Sequence, residues 1–148
     1  MTGRVFVDSN VLVYRRDSAV PVKQERAAAW ISALWKCGEG RVSLQVLHEF
    51  YVTVTRKLSP GLPAAEARED ARDFIAWQPQ PLTGELLELA WEIETRHKLH
   101  FWDSAIVGAA SLQGCRYLLT EDLQAGRRLD DIEVVDPFET SPEILGFA

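Results

Sequence analysis

The chain has 148 residues, of which 47% are hydrophobic and 26% charged, with a formal net charge of −6. That length and composition suit one soluble domain, 1–148, with a real core, and no apolar run is long enough to cross a bilayer. Eight acids in residues 121–148 face only Arg127 and Arg128, leaving fourteen charges of each sign in residues 1–120, so a global basic field for nucleic acid is excluded.

Val5-Phe6-Val7 reads as a short strand buried on both faces. Asp8, Ser9 and Asn10 follow, residue types that prefer helix caps, and Val11, Leu12 and Tyr14 then take helical spacing. Asp8 thus falls where a first strand ends and a helix begins, either as an N-cap or as a functional carboxylate at the edge where parallel sheets bind ligands. Pro21 opens a second helix that runs to about Cys37, and Gly38 and Gly40 end it. Val42-Ser43-Leu44 reads as a second strand. Val46, Leu47, Phe50 and Val54 define the helix after it. Past the break at Ser59-Pro60-Gly61-Leu62-Pro63, a helix is expected from Ala64 to Trp77, and another from about Gly84 to Arg96. Between them, Leu82 belongs to a short strand or an extended connection.

A further helix starts at or near Asp103. Its residues Ser104, Ala105, Gly108, Ala109 and Ser111 are all small, which lets it pack closely enough to offset the propensity cost of Gly108. Tyr117-Leu118-Leu119 is the next strand, with Thr120-Glu121-Asp122 at its carboxyl end. Glu133-Val134-Val135 is the last strand, expected at an edge, and the tail from Thr140 is expected to be loosely held. This order of elements points to a three-layer α/β/α sandwich around a mainly parallel sheet of four or five strands.

Four acids then fall near one edge: Asp8, Glu49, Asp103 and the Glu121-Asp122 pair. Isolated acids at helix starts are usually caps, but several converging carboxylates repel one another unless cations neutralise them. An all-oxygen set suits Mg²⁺ or Mn²⁺, and the chemistry suited to such ions is phosphodiester hydrolysis by activated water.

The same residues carry a resemblance. Val7-Asp8-Ser9-Asn10-Val11-Leu12-Val13-Tyr14, Val46-Leu47-His48-Glu49-Phe50-Tyr51, Phe101-Trp102-Asp103-Ser104-Ala105-Ile106-Val107 and Leu119-Thr120-Glu121-Asp122-Leu123 resemble the four motifs of PIN-domain ribonucleases of the VapC toxin type. The resemblance covers nearly the whole chain. It implies Mg²⁺- or Mn²⁺-dependent cleavage of RNA, commonly tRNA or rRNA, by a toxin with a cognate antitoxin, and a homodimer is expected. It puts the acids on Asp8, Glu49, Asp103 and Asp122, with Asn10 as a helping polar residue. In the fourth motif either Glu121 or Asp122 points inward, and the family pattern favours Asp122.

Asp8 and Asp103 are expected as direct metal ligands, and Glu49 and Asp122 on a second ion or through bound water. Ser9, Asn10, Ser104 and Thr120 either hydrogen-bond carboxylates or metal waters, or simply cap helices. Arg15 or Arg16 either contacts phosphate or is ordinary surface. His97, His100 and Asp103 have the spacing of a zinc site, though packing or surface histidines explain it more simply. Trp102 either stacks on a base or seats its helix, while Trp30, Trp35, Trp77 and Trp91 are expected in the core. Cys37 and Cys115 are expected as buried reduced thiols, consistent with a cytoplasmic protein, and Asp8 and Asn10 fall where a signal peptide would need apolar residues. The other classes considered are a phosphatase-like α/β hydrolase, which would want a second acid where Asn10 stands, and a PIN-fold binding module without activity.

Overall fold

The computed structural model describes residues 3–147. Five strands form one sheet: β1 (Arg4–Val7), β2 (Gly40–Arg41), β3 (Cys115–Leu119), β4 (Arg128–Leu129) and β5 (Ile132–Val135). Their spatial order is β2-β1-β3-β5-β4, and only the β4–β5 pair is antiparallel. Six helices flank the sheet: α1 (Ser9–Tyr14), α2 (Pro21–Cys37), α3 (Leu44–Arg56), α4 (Ala64–Asp73), α5 (Gly84–His97) and α6 (Phe101–Leu112). The result is the expected α/β sandwich.

β1 and β3 lie side by side at the centre of the sheet, and the last three residues of each are hydrophobic and buried, because both faces are covered there. The ladder runs one residue past each strand. Asp8 N–H donates to the Leu119 carbonyl at 3.0 Å, and Thr120 N–H donates to the Val135 carbonyl at 3.0 Å. Backbone pairing therefore holds Asp8 and Thr120 next to each other on the carboxyl edge. Gly108 lets α6 press on α5, since a Cβ there would meet Leu86 Cδ1 at 3.0 Å. The small residues Ser104, Ala105, Gly108 and Ala109 are all buried.

Several local expectations change. The second strand is Gly40–Arg41, not Val42–Leu44. Ser43 instead caps α3, its hydroxyl accepting from Val46 N–H at 3.2 Å, and bridges to Gln80 in parallel. Leu82 lies in an extended connection. The fourth helix stops at Asp73, and a 3₁₀ turn carries the chain on from Phe74 to Trp77. α6 begins at Phe101, two residues before Asp103. β5 is not an edge, because the hairpin partner β4 covers it.

Trp30 and Trp77 are buried as expected, but Trp35 is 39% and Trp91 47% exposed. Helical spacing marks a face without saying how wide the covered stripe is. Cys37 sits at the exposed end of α2, while Cys115 is buried, its thiol pushed up to about 12 by burial. The tail is not loose. Phe147 is 1% exposed and packs on the rings of Trp30 and Tyr117, and Trp30 Nε1 donates to the Thr140 carbonyl at 2.9 Å. A single large aromatic is enough to anchor such a segment, since burying one is worth about 1.5–3 kcal/mol. Among the described residues, no helix is long and apolar enough to cross a membrane.

Candidate functional site

The site is built outward from Asp8. Its carboxylate is 8% exposed and caps α1, with Oδ1 accepting from Ser9 N–H at 2.7 Å. Oδ2 accepts the Thr120 hydroxyl at 2.9 Å. The same hydroxyl oxygen accepts from Asn10 Nδ2 at 2.9 Å and from Asp122 N–H at 3.1 Å, so its proton and both lone pairs are used. Asn10 Nδ2 also reaches Asp122 Oδ2 at 3.1 Å and Asp8 Oδ2 at 3.4 Å. Asp8, Asn10, Thr120 and Asp122 thus form one network between the ends of β1 and β3.

Glu49 and Asp103 complete the acidic group from two other helices. Glu49 lies on α3, and Gln45, one turn before it, donates to its Oε2 at 3.4 Å and to the Trp102 carbonyl at 3.4 Å. Gln45 is a buried polar residue that the sequence reading missed. Its signal was the spacing of four from Glu49 on one helix face. Asp103 lies in the first turn of α6, where the helix dipole favours a negative charge.

The carboxylates feel one another. Burial pushes the Asp8 carboxyl up to about 7, against the pull of the Ser9 amide and the Thr120 hydroxyl, and the charges of Glu49 and Asp122 raise it further. Burial also raises the Asp103 carboxyl, with the charge of Asp122 adding to it and His100 opposing. Asp122 is therefore the acid that links the Asp8 end of the cluster to Asp103.

Other expected participants point elsewhere. Glu121 turns away from the cluster, accepting from Tyr14 at 2.6 Å and from the Lys23 ammonium at 2.7 Å, so Asp122 is the inward acid of the pair. Ser104 is buried and donates to the His100 carbonyl at 2.9 Å, not to a carboxylate. Ser9 contributes its amide, and its hydroxyl stands 3.5 Å from Asp8 Oδ1. Arg15 and Arg16 do not wait for phosphate. Arg16 grips Asp70 through two nitrogens, at 2.6 and 2.5 Å, and Arg15 reaches the same carboxylate at 3.2 Å. His97 contacts Asp130 at 2.9 Å, His100 occupies the N-cap position of α6 without a side-chain bond to it, and among the described residues His97, His100 and Asp103 do not form a metal-holding group.

The surroundings supply several recesses. One, of about 440 Å³, is lined by Ser9, His48, Glu49, Val52, Thr53 and Lys57. Another, of about 400 Å³, is an apolar groove that includes Leu82, Leu86, Leu87, Phe101 and Trp102. The Trp102 ring is 58% exposed and stands edge-on to Phe101 at 5.1 Å, free to meet a ligand face.

The all-oxygen donor set fits a hard divalent cation, and the raised Asp8 carboxyl is a buried like-charged group that such a cation would relieve. Among the described residues, no three acids, histidines or cysteines stand close enough to form a closed ligand set as they are.

An α/β sandwich with a carboxylate-lined carboxyl edge is the class that fold and site define. The chain belongs to the PIN domain family, whose model matches residues 5–135. No curated protein sequence matches it. Among solved structures, it resembles a toxin–antitoxin complex from Klebsiella pneumoniae at 16% identity and a TM-score of 0.63, covering 90% of this chain and 97% of that one. It resembles FitAcB from Neisseria gonorrhoeae at 15% identity and a TM-score of 0.62, covering 92% and 99%. It also resembles the Mycobacterium tuberculosis toxin VapC20, described as cleaving the sarcin–ricin loop, at 23% identity and a TM-score of 0.57, covering 77% and 86%. At these identities the likeness is one of fold.

Proposed function

We propose that this protein is a metal-dependent endoribonuclease toxin that cuts RNA, tRNA or rRNA, and is neutralised by a cognate antitoxin. The observation that carries the reading is the Asp8 carboxylate, held by Thr120 and Asn10 and raised by its burial, with the charges of Glu49 and Asp122 adding to it. Family membership supports it, since PIN domains are generally nucleases that use divalent ions. The structurally similar proteins support it further, one being a toxin–antitoxin complex and another a sarcin–ricin loop cleaving toxin. The phosphatase-like reading has no such support, and Asn10 stands where it would want an acid.

Asp8 and Asp103 would hold Mg²⁺ or Mn²⁺ directly, with Glu49 and Asp122 on a second ion or on bound water. When bound, the cation supplies Lewis-acid charge that lowers the pKa of a water and offsets the phosphate. The chain's own part is positional. Thr120 and the Ser9 amide orient Asp8, Asn10 aims Asp122, and Gln45 steadies Glu49. We also place the working protein in the cytoplasm as a homodimer. The test is cleavage of RNA by the purified protein with Mg²⁺ or Mn²⁺. EDTA, Asp8→Asn and Asp103→Asn should each abolish it while the variants stay folded. Full activity of Asp103→Asn would overturn the assignment, and absence of cleavage by wild type on any RNA would leave a binding module.

A further inference from the structure

Glu121 sits between two residues of the acidic network yet contributes nothing to it. Both of its carboxylate oxygens are occupied outside the cleft, Oε1 by the Tyr14 hydroxyl at 2.6 Å and Oε2 by Lys23 Nζ at 2.7 Å. Lys23 is partly exposed and lies over two aromatic faces. Its ammonium lies 4.8 Å from the Tyr14 ring centre and 5.0 Å from that of Phe138, and the two rings meet edge-on at 5.1 Å. Tyr14 at the end of α1 and Lys23 in the first turn of α2 thus meet on a carboxylate from the turn after β3, and Phe138, after β5, packs against both of them.

That carboxylate belongs to the turn that presents Asp122. Helix α1 grips the turn twice, four residues apart on one face. Asn10 takes Asp122 Oδ2 and accepts from Glu121 N–H at 3.4 Å, and Tyr14 takes the Glu121 side chain. Glu121 and Asp122 are neighbours on one bend, with Glu121 held by Tyr14 and Lys23 and Asp122 held by Asn10, so the clamp on one side chain fixes the backbone that carries the other. Lys23 also neutralises a carboxylate that would otherwise add to the acidic field, which Asp8 and Asp103 already feel from Asp122.

We propose that Glu121, clamped by Tyr14 and Lys23, is a positioning residue that selects which of two neighbouring carboxylates faces the cleft and so sets its affinity for a divalent cation. The proposal rests on the reading of Asp122 as a site acid. It assigns a role to Lys23 and Tyr14 without any contact to substrate.

The test is a Mn²⁺ titration of the purified full chain, followed by the electron paramagnetic resonance of free Mn²⁺, alongside thermal melts without metal. Outer residues that orient ligands typically cost tenfold or more in metal affinity when removed, so Glu121→Gln and Lys23→Met should each weaken Mn²⁺ binding about tenfold. The double variant should bind about as weakly as either single one, because both act through one ion pair. Lys23→Arg should recover most of the affinity. A lower melting temperature with unchanged Mn²⁺ affinity in both variants would make the clamp merely structural and overturn the proposal. If Asp122→Asn binds Mn²⁺ as wild type does, or wild type binds none, the site reading fails first and the clamp falls with it.

Discussion

Thr120 and Asp8, 112 positions apart in sequence, share a hydrogen bond of 2.9 Å that joins the ends of the two central strands. The hydroxyl is fully buried and every bonding position on its oxygen is used, by Asp8, Asn10 and Asp122. Valine has nearly the same shape and none of these bonds. Thr120→Val should therefore cost about 1–3 kcal/mol of stability, the penalty for leaving buried polar partners unsatisfied. It should also lift the Asp8 carboxyl further, because the hydroxyl is one of the two groups pulling it down. Urea unfolding checks the first effect, and a shift of the acid limb of the cleavage profile to higher pH checks the second.

The Asp8 carboxyl, raised from 3.8 to about 7, makes a prediction for the metal-free protein. A raised folded-state pKa means that the native state binds the proton more tightly than the unfolded chain does. Its contribution to stability is fully present below about pH 4 and is lost as pH rises through about 7. With metal absent, melting temperature should thus fall between mildly acid and mildly alkaline pH as far as this group governs it, by the equivalent of a few kcal/mol. Asp8→Asn should flatten that fall and melt higher than wild type at pH 8. Mg²⁺ should stabilise wild type most at pH 8, where Asp8 is ionised, and Asp8→Asn least. Scanning calorimetry across pH with and without Mg²⁺ reads all three.

Arg15 and Arg16 yield a stability prediction in place of a substrate one. Asp70 is buried and accepts from both guanidinium groups, and Arg15 also lies over the Phe74 ring at 5.3 Å. Removing the carboxylate leaves a largely buried Arg15 without its counter-charge. Breaking a buried pair in this way costs about 3–5 kcal/mol, and the partial exposure of Arg16 moves the expectation to the low end, about 3 kcal/mol. Asp70→Ala should show that loss in denaturant unfolding. Cleavage per folded molecule should stay near wild type, since Asp70 lies outside the acidic network.

What could be read ahead was whatever depends on near neighbours. The Val7-to-Asp8 junction, the Leu119-to-Thr120 junction and the small-residue face of α6 all follow from local pattern, and the fold places them as expected. What could not be read depends on partners distant in sequence. Nothing beside Arg16 reveals that Asp70, 54 positions on, will claim it. Nothing in Thr140 to Phe147 reveals that Trp30 and Tyr117 leave room for a ring. The Glu121-Asp122 choice was open because local pattern does not distinguish two adjacent acids, and the partners of Glu121, Tyr14 and Lys23, are distant in sequence. β2 was misplaced because two residues of ladder carry too little pattern, and Ser43 is better used as a cap.

The last prediction concerns the partner. Beside the acidic residues lies an apolar groove walled in part by Phe101, Trp102 and Leu87. An antitoxin that silences the site would place apolar side chains in the groove and an Arg or Lys among the carboxylates, where it replaces a cation and makes charge-assisted hydrogen bonds. Its inhibitory segment should follow a DNA-binding domain in the product of a neighbouring reading frame. Inhibition and catalysis would then use the same acids. Asp8→Asn or Asp103→Asn should abolish cleavage but only weaken antitoxin binding, because the apolar contacts remain, and such contacts carry much of an interface's energy. Trp102→Ala should weaken antitoxin binding more than either, through loss of a large exposed anchor. Calorimetric titration of each variant with the neighbouring product gives the order of affinities. Binding that is indifferent to Asp8, Asp103 and Trp102 alike, or a bound product that leaves cleavage undiminished, would refute this mode of inhibition while leaving the nuclease reading to its own test.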